Sequence, residues 1–446
     1  MTPGAQVPRR EALRFWLKLG FISFGGPAGQ ISIMHRELVE ARRWISERRF
    51  LHALNYCMVL PGPEAQQLAT YIGWLMHGTW GGILAGALFV LPSLVILIVL
   101  SWIYLRFGDV PAIGAILYGI KPAVTAIVFA AAWRIGSRTL RNGALWSVAI
   151  AAFLALFAFD VPFPYVVLGA ALTGAAGGRL APALFSVAAA HDAEGRPHPS
   201  AVIDDNTPTP HHARFSWLRL AATIAVALAL WGASLAWLTS TFGWQHDATQ
   251  MGWFFTKAAM LTFGGAYAVL PYVVQGAVEH YGWLNATQMI DGLALGETTP
   301  GPLIMVVAFV GYVGGWTKAI LGPDSLAASG ILAACIATWF TFLPSFLFIL
   351  AGGPLVERTH GELGFTAPLT AVTAAVVGVI VNLAVFFAWK VLWPLATEAA
   401  PFSGGFDAFS AVLSVIGVVA LTRFKVGVIP LIAAFAAAGM AARLLF

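Results

Sequence analysis

The sequence predicts an all-α integral membrane protein made of two inverted-topology repeats, each combining broken, re-entrant helical hairpins with full transmembrane spans. Three observations carry that prediction. The chain has 446 residues, 59% hydrophobic and only 10% charged, against roughly 45–50% apolar and about 25% charged in soluble domains. Apolar runs of about 20 residues, the length that crosses a bilayer core, recur along it. One short text also occurs twice. Phe24-Gly25-Gly26 returns as Phe263-Gly264-Gly265, Trp44 as Trp283, and Pro61-Gly62-Pro63 as Pro300-Gly301-Pro302, all at an interval of 239 residues. Phe15/Phe254, Lys18/Lys257, Glu40/Glu279 and Leu54/Leu293 keep the same register. A duplicated unit broken by glycine and proline at matching positions is the signature of a secondary transporter and marks its binding site.

Composition narrows the rest. The net charge of +5 sits in loops, which reads as positive-inside topology and not as nucleic-acid binding. The partner is the lipid bilayer. Cys57 and Cys335 stand alone in apolar segments, so no disulfide framework, metal site or cofactor follows from them. Met1 to Arg14 has no apolar core ending in a cleavage site, and the first membrane segment is expected to act as its own insertion signal.

The first repeat covers residues 11–185. Glu11–Arg43 breaks at Gly25-Gly26-Pro27, and Ser46–His77 breaks at Pro61-Gly62-Pro63. Proline removes a backbone donor and glycine permits a reversal, so each segment reads as a hairpin that dips into the membrane and returns. Full spans follow at Trp80–Tyr104, Pro111–Ile135, Ala144–Phe159 and Val161–Gly178. Residues 186–214 form a polar cytoplasmic linker. Its His191–His212 stretch lacks an apolar period and reads as a flexible connector, its histidines as linker rather than metal ligands. The apolar helix at 216–242 has no counterpart before Phe15. The second repeat covers 250–445, with full spans near Leu326–Leu350, Ala367–Trp389, Ala408–Leu421 and Val426–Leu445. Leu343-Pro344-Ser345 matches Leu91-Pro92-Ser93, displaced from the constant interval.

The arginines orient the chain. With re-entrant hairpins, Arg9, Arg10, Arg14, Arg36, Arg42, Arg43, Arg48 and Arg49 share one side with most later Lys and Arg. Only Arg106, Lys318, Lys390 and Arg443 fall on the other. That asymmetry puts the N-terminus in the cytoplasm. Four full spans and the extra helix make five crossings before the second repeat. An odd number inverts the copy, and the Glu279–Asn285 loop accordingly carries no Lys or Arg.

The breaks carry the chemistry. A helix beginning at Pro27 or Pro63 leaves its first N–H groups unpaired and turns a partial positive charge toward the break. Ala266 and Pro302 offer the same in the second copy. Four such starts near the midplane make an anion site, with Gly25, Gly26, Gly62, Gly264, Gly265 and Gly301 allowing close approach, and Pro61, Pro63 and Pro300 fixing the corners. Lys18 and Lys257, seven or eight residues before the glycine pairs, suit a divalent anion; snorkelling to the interface is the bland alternative. Glu64, Asp291 and Glu297 are candidates for a proton linked to the anion, with Glu64 also favoured simply as a helix-start residue. Gln30, Gln66, Gln67, Thr298 and Thr299 add neutral donors. Asn285 with Gln288 reads as a structural helix cap.

At these residues the chain resembles the chromate ion transporter family in its long, two-domain form. The resemblance rests on Phe24-Gly25-Gly26-Pro27 with Gln30, on Leu60-Pro61-Gly62-Pro63-Glu64-Ala65 running into Gln67-Leu68-Ala69-Thr70-Tyr71-Ile72-Gly73-Trp74, on Phe263-Gly264-Gly265, and on Glu297-Thr298-Thr299-Pro300-Gly301-Pro302. It omits the polar linker. Ala266 replaces the proline of the first Gly-Gly-Pro, so the copies need not contribute equally. The resemblance implies a multi-pass protein of the bacterial inner membrane. It implies export of chromate with energy from the proton motive force, resistance to chromate, and protons as the exchanged partner in an antiport. Sulfate is the natural competitor, sharing shape and charge, and the protein partner expected is a second copy of the chain in a homodimer. The rivals are a transporter of sulfate or another oxyanion, a passive anion channel and a membrane chromate reductase. Counterflow of protons and saturation separate a carrier from a channel. No haem, flavin or cluster signature supports an enzyme.

Overall fold

The computed structural model describes residues 7–108, 110–185, 201–205, 207–208, 210–359, 366–397 and 400–445. Among them the chain is helical and holds no strand. The first repeat opens with α1 (Arg9–Ile22), α2 (Gly26–His35), α3 (Glu47–Val59) and α4 (Glu64–Phe107), followed by α5 (Pro111–Thr139), α6 (Gly143–Phe157), α7 (Phe163–Leu180) and the single turn α8 (Pro182–Phe185). α9 (Trp217–Phe242) stands between the repeats. The second repeat runs α10 (Asp247–Met260), α11 (Ala266–Val274), α12 (Ala286–Thr298), α13 (Val306–Thr317), α14 (Leu326–Thr359), α15 (Thr366–Leu392), α16 (Ala408–Thr422) and α17 (Val428–Leu445). Five of the helices are long and apolar enough to cross a membrane.

Local sequence explains the boundaries. α12 begins with a capping box: Gln288 N donates to Asn285 Oδ1 at 2.8 Å, and Asn285 N donates to Gln288 Oε1 at 2.9 Å. Ser46, Asn142 and Asp407 accept from the backbone at the starts of α3, α6 and α16. α4 is 44 residues long but kinks at Gly78, whose φ is 71°. The kink separates the expected hairpin arm from the expected span. Two helices in register end in a π-helical turn, Arg36–Ala41 after α2 and Gln275–His280 after α11. Trp44 and Trp283 just beyond these turns are fully buried.

The repeats interlock. α1 packs on α4 and α10 on α14, while α4 and α14 meet each other. α5 of the first repeat packs against α16 and α17 of the second, and α15 of the second against α6 and α7 of the first. Each repeat thus completes the other's helix layer, as two inverted copies about a pseudo-two-fold axis do. α9 buries only Leu238 and touches α14 and α10 from outside, so the extra helix stays out of the core.

The linker departs from a free connector. Residues 191–200 lie outside the described residues, but 201–205 dock on the first repeat. Val202 N donates to Arg43 O at 3.0 Å, Ile203 N to Trp44 O at 3.0 Å, and Ser46 N to Ile203 O at 2.9 Å. Ile45 and Ile203 are both buried there. The backbone of the Arg43–Ser46 turn is paired by Val202 and Ile203, which satisfies groups that would otherwise be buried without partners. His212 Nε2 lies 2.9 Å from Trp74 O, a carbonyl at the α4 kink. Burial holds the His212 pKa below the usual imidazole value, so the ring is neutral and donates to that carbonyl.

Candidate functional site

Four helix breaks meet across the two repeats. At the Gly-Gly corners, Gly25 (φ 88°) and Gly26 (φ 67°) precede the body of α2, and Gly264 (φ 79°) and Gly265 (φ 97°) precede α11. α2 begins at Gly26, one residue ahead of the expected Pro27. No side chain caps either helix, so their first N–H groups have no acceptor of that kind. A Cβ placed on Gly26 would meet no atom within 4 Å, and one on Gly265 would lie 3.9 Å from Glu64 Oε1.

The Pro-Gly-Pro corners are built otherwise. Gly62 (φ 123°) and Gly301 (φ 104°) also need left-handed backbone. The N–H of Gly62 donates to Thr262 O at 2.7 Å, and the N–H of Gly301 donates to Ser23 O at 2.8 Å. Ser23 and Thr262 occupy equivalent positions, and each hydroxyl bonds back into its own helix, to Leu19 O at 2.6 Å and Ala258 O at 2.7 Å. Every Pro-Gly-Pro corner therefore clasps the chain just ahead of the other repeat's Gly-Gly corner. A Cβ on Gly62 would collide with Ser345 Oγ, and one on Gly301 would fall 2.7 Å from Ser93 Cβ. The Leu-Pro-Ser pair is thus the wall behind these corners. The two N–H groups expected to face an anion at Gly62 and Gly301 are committed to chain carbonyls.

Polar groups gather mostly on the first-repeat side. Gln67 Nε2 donates to Pro61 O at 2.7 Å, Gln66 Nε2 to Thr70 Oγ1 at 2.9 Å, and Gln30 Nε2 to Gly301 O. The Oε1 atoms of Gln30, Gln66 and Gln67 and the hydroxyls of Ser93 and Ser345 are buried without hydrogen-bond partners among the described residues. Buried polar atoms are normally satisfied, so such a group marks a place where a ligand or water is handled. In the second copy Leu303, Ile304 and Met305 stand where the first has Glu64, Ala65 and Gln66, and a 3₁₀ turn over Leu303–Met305 comes between Pro302 and α13. Glu297 is buried and accepts a hydrogen bond from Tyr267 OH on the first turn of α11. Thr298 and Thr299 spend their hydroxyls on carbonyls of their own helix, the shortest at 2.9 Å and 3.0 Å.

Other candidates stand apart. Lys18 lies on the exposed face of α1 with Leu17 and Phe21. Lys257 has its ammonium 5.7 Å from the Trp253 ring centroid and opens into a cavity of about 490 Å³ with Tyr272, Gln275, Glu279 and His280. Asp291 is buried on α12, where Tyr104 OH donates to Oδ2 at 2.9 Å and Lys121 Nζ stands 4.0 Å from Oδ1. Sequence reasoning passed over Lys121, Tyr104 and Tyr267. A lone lysine inside the apolar α5 was signal enough for the first; the tyrosines, in apolar stretches, carried none.

The chromate transporter family matches residues 10–175 and 249–440, two stretches that begin one repeat interval apart. A chromate transport protein of Cupriavidus metallidurans is 30% identical over 449 residues, covering 96% of this chain and 91% of that one. A chromate transport protein of Pseudomonas aeruginosa is 36% identical over 369 residues, covering 82% of this chain and 77% of that one. No solved structure matches the chain. With both halves matched, and relatives aligned over most of its length, this chain belongs to the chromate transporter family.

Proposed function

We propose that the protein exports chromate from the cytoplasm of a bacterium through its inner membrane, and that this confers chromate resistance. The N-terminus and the linker face the cytoplasm. The anion sits against the Gly-Gly corners, at the starts of α2 and α11 that no side chain caps, with the unpaired amide oxygens of Gln30 and Gln67 on the first-repeat side. Water or a proton on the anion bridges to those acceptors. The observation that carries this reading is the crossing of four breaks, tied by Gly62 to Thr262 and by Gly301 to Ser23. Helix starts bind anions without a buried side-chain charge.

The membrane potential supplies the driving force. An inside-negative potential moves each negative charge outward with about 2.3 kcal/mol per 100 mV, and a dianion gains twice that. Glu64 sets the role of the proton. Its carboxylate faces Gly265. When ionised it repels the dianion, so a proton enters Glu64 as the anion docks. This geometry favours uptake of the proton with the anion over exchange for it; the outward electrical force survives, since the pair still carries a negative charge. Glu297 is the second proton candidate, already hydrogen-bonded by Tyr267.

Flux of labelled chromate in proteoliposomes tests the reading. Saturable chromate flux that follows an imposed potential, with sulfate competing, is expected. Flux that never saturates means a channel, and sulfate flux without chromate flux means another oxyanion carrier.

A further inference from the structure

A second cavity holds cations that the reading above does not use. It measures about 370 Å³ and is lined by Tyr104, Tyr118, Lys121, Gln288, Asp291 and Arg443 among others. It lies where α4 ends and α5 and α12 begin, the face that the proposed topology makes periplasmic. Lys121 sits ten residues into α5 from Pro111, about 15 Å along the helix at 1.5 Å per residue. A water takes about 30 Å³ of liquid, so a five-atom oxyanion fits with part of its hydration shell.

The pairing inside the cavity is incomplete. Asp291 is 2% exposed, and its Oδ1 has no hydrogen-bond partner among the described residues. Lys121 Nζ stands 4.0 Å from that oxygen, beyond hydrogen-bond reach. Tyr104 OH takes Oδ2 at 2.9 Å. Across the cavity the Arg443 guanidinium lies 5.6 Å from the Tyr118 ring centroid. Tyr118 OH donates to Asp407 at 2.9 Å, and Asp407 also holds Ser410, so that carboxylate is already engaged. The groups facing Asp291 and the cavity are thus two cations, two tyrosine hydroxyls and the amide of Gln288. One cation is held loosely, and the other forms no ion pair among the described residues.

We propose that this cavity is a second oxyanion site on the transport path, where Lys121 and Arg443 receive a tetrahedral divalent oxyanion and Asp291 holds Lys121 when the anion has left. This deepens the export reading and rests on it. The anion and Asp291 compete for one ammonium. While the anion is bound, Lys121 turns to it; on release the carboxylate takes Lys121 back and repels a returning anion. Protonation of Asp291 would weaken that competition and hold the anion longer.

Equilibrium dialysis of the purified full chain with labelled chromate, and separately with labelled sulfate, tests the site. The parent is expected to bind two anions per chain. Lys121→Gln should lose one of them, or weaken it by about tenfold or more. Lys121→Arg, which keeps the charge, should restore it. Arg443→Gln, at an exposed position, should weaken the same site. Asp291→Asn should tighten it, which a merely structural role for Asp291 would not do. Gly264→Ala should remove the other anion and leave this one. A parent that binds two anions, with both unchanged in Lys121→Gln and Arg443→Gln, overturns the proposal. One anion per chain, lost in Gly264→Ala and unaffected by Lys121→Gln, overturns it while sparing the site at the breaks. One anion lost in Lys121→Gln but not in Gly264→Ala keeps this cavity and sinks the breaks instead.

Discussion

The two kinds of glycine corner use the same backbone freedom for opposite purposes. Gly62 and Gly301 are crowded: their Cβ directions are filled by Ser345 and Ser93, and their N–H groups are tied to the other repeat. Gly26, Gly264 and Gly265 are open, with no atom closer than 3.9 Å to an added Cβ. Glycine at the first pair lets two chains clasp. At the second it clears the helix starts. The frame of the inverted repeats and the proposed binding surface are therefore separable, although both read as glycine-proline breaks in the sequence. The two copies differ as well. The frame is two-fold, but Glu64 and Gln67 have Leu303 and Val306 as counterparts, and Gln30 has Val269. The buried glutamines lie in the first half.

The largest effects are expected at the clasps. Gly62→Val and Gly301→Val force a branched side chain into Ser345 or Ser93 and into left-handed backbone, which alone costs about 1–2 kcal/mol. Overpacking adds about 1–3 kcal/mol. Folded yield and transport should fall together, read by size-exclusion profile, thermal stability in detergent and chromate flux. Folded, stable Gly62→Val protein without transport would instead make the clasp a ligand contact and erase the distinction between corners.

At the open corners the outcome should divide. Gly264→Ala and Gly25→Ala carry only the backbone cost of about 1 kcal/mol, so folded yield should stay near the parent. Anion binding should drop by about tenfold or more, because a methyl group shields N–H donors of the kind that bind anions at helix starts. Parent-like chromate affinity in both variants would show that the open corners are only hinges.

These two predictions mark what the sequence could and could not carry. Gly25-Gly26-Pro27 and Pro61-Gly62-Pro63 break helices by local sterics, so the breaks and their duplication were legible, and with them the repeats and the extra helix. The clasp from Gly62 to Thr262 was not, since it joins residues from different repeats and depends on how the copies interlock. Nor could the text show that Glu64 faces Gly265 rather than its own break. The linker misled for a related reason: residues 201–205 have no apolar period because their order comes from backbone bonds to Arg43–Ser46.

The unequal halves give the next prediction. An ionised Glu64 opposes the dianion, so chromate affinity of the parent should rise as pH falls. Glu64→Gln removes the titrating group and should flatten that dependence, with affinity at neutral pH at or above the parent's. Leu303→Ala, at the equivalent position of the second copy, should leave the pH dependence intact. Isothermal titration at several pH values reads both. A Glu64→Gln variant that keeps the parent's slope would move the coupling to Glu297.

The smallest effects should fall on the matched lysines, and here the copies should part. Lys18 shares the exposed face of α1 with Leu17 and Phe21, 44% and 51% exposed, the setting of a side chain that snorkels along lipid. Lys257 opens into a cavity of about 490 Å³ and sits near the Trp253 ring, where an anion at the proposed periplasmic mouth would feel its charge. Lys18→Gln should leave chromate transport within about twofold of the parent, as surface changes usually do. Lys257→Gln should raise several-fold the KM for anion presented from the periplasmic face, with little change in the maximal rate, because a charge at that mouth steers the anion without holding it in the path. The Lys257 effect should shrink as salt screens it over a Debye length of about 8 Å at physiological ionic strength. Equal, salt-insensitive losses in both variants would restore the lysines as a symmetric pair that grips the anion directly, and would place the binding surface outside the open corners.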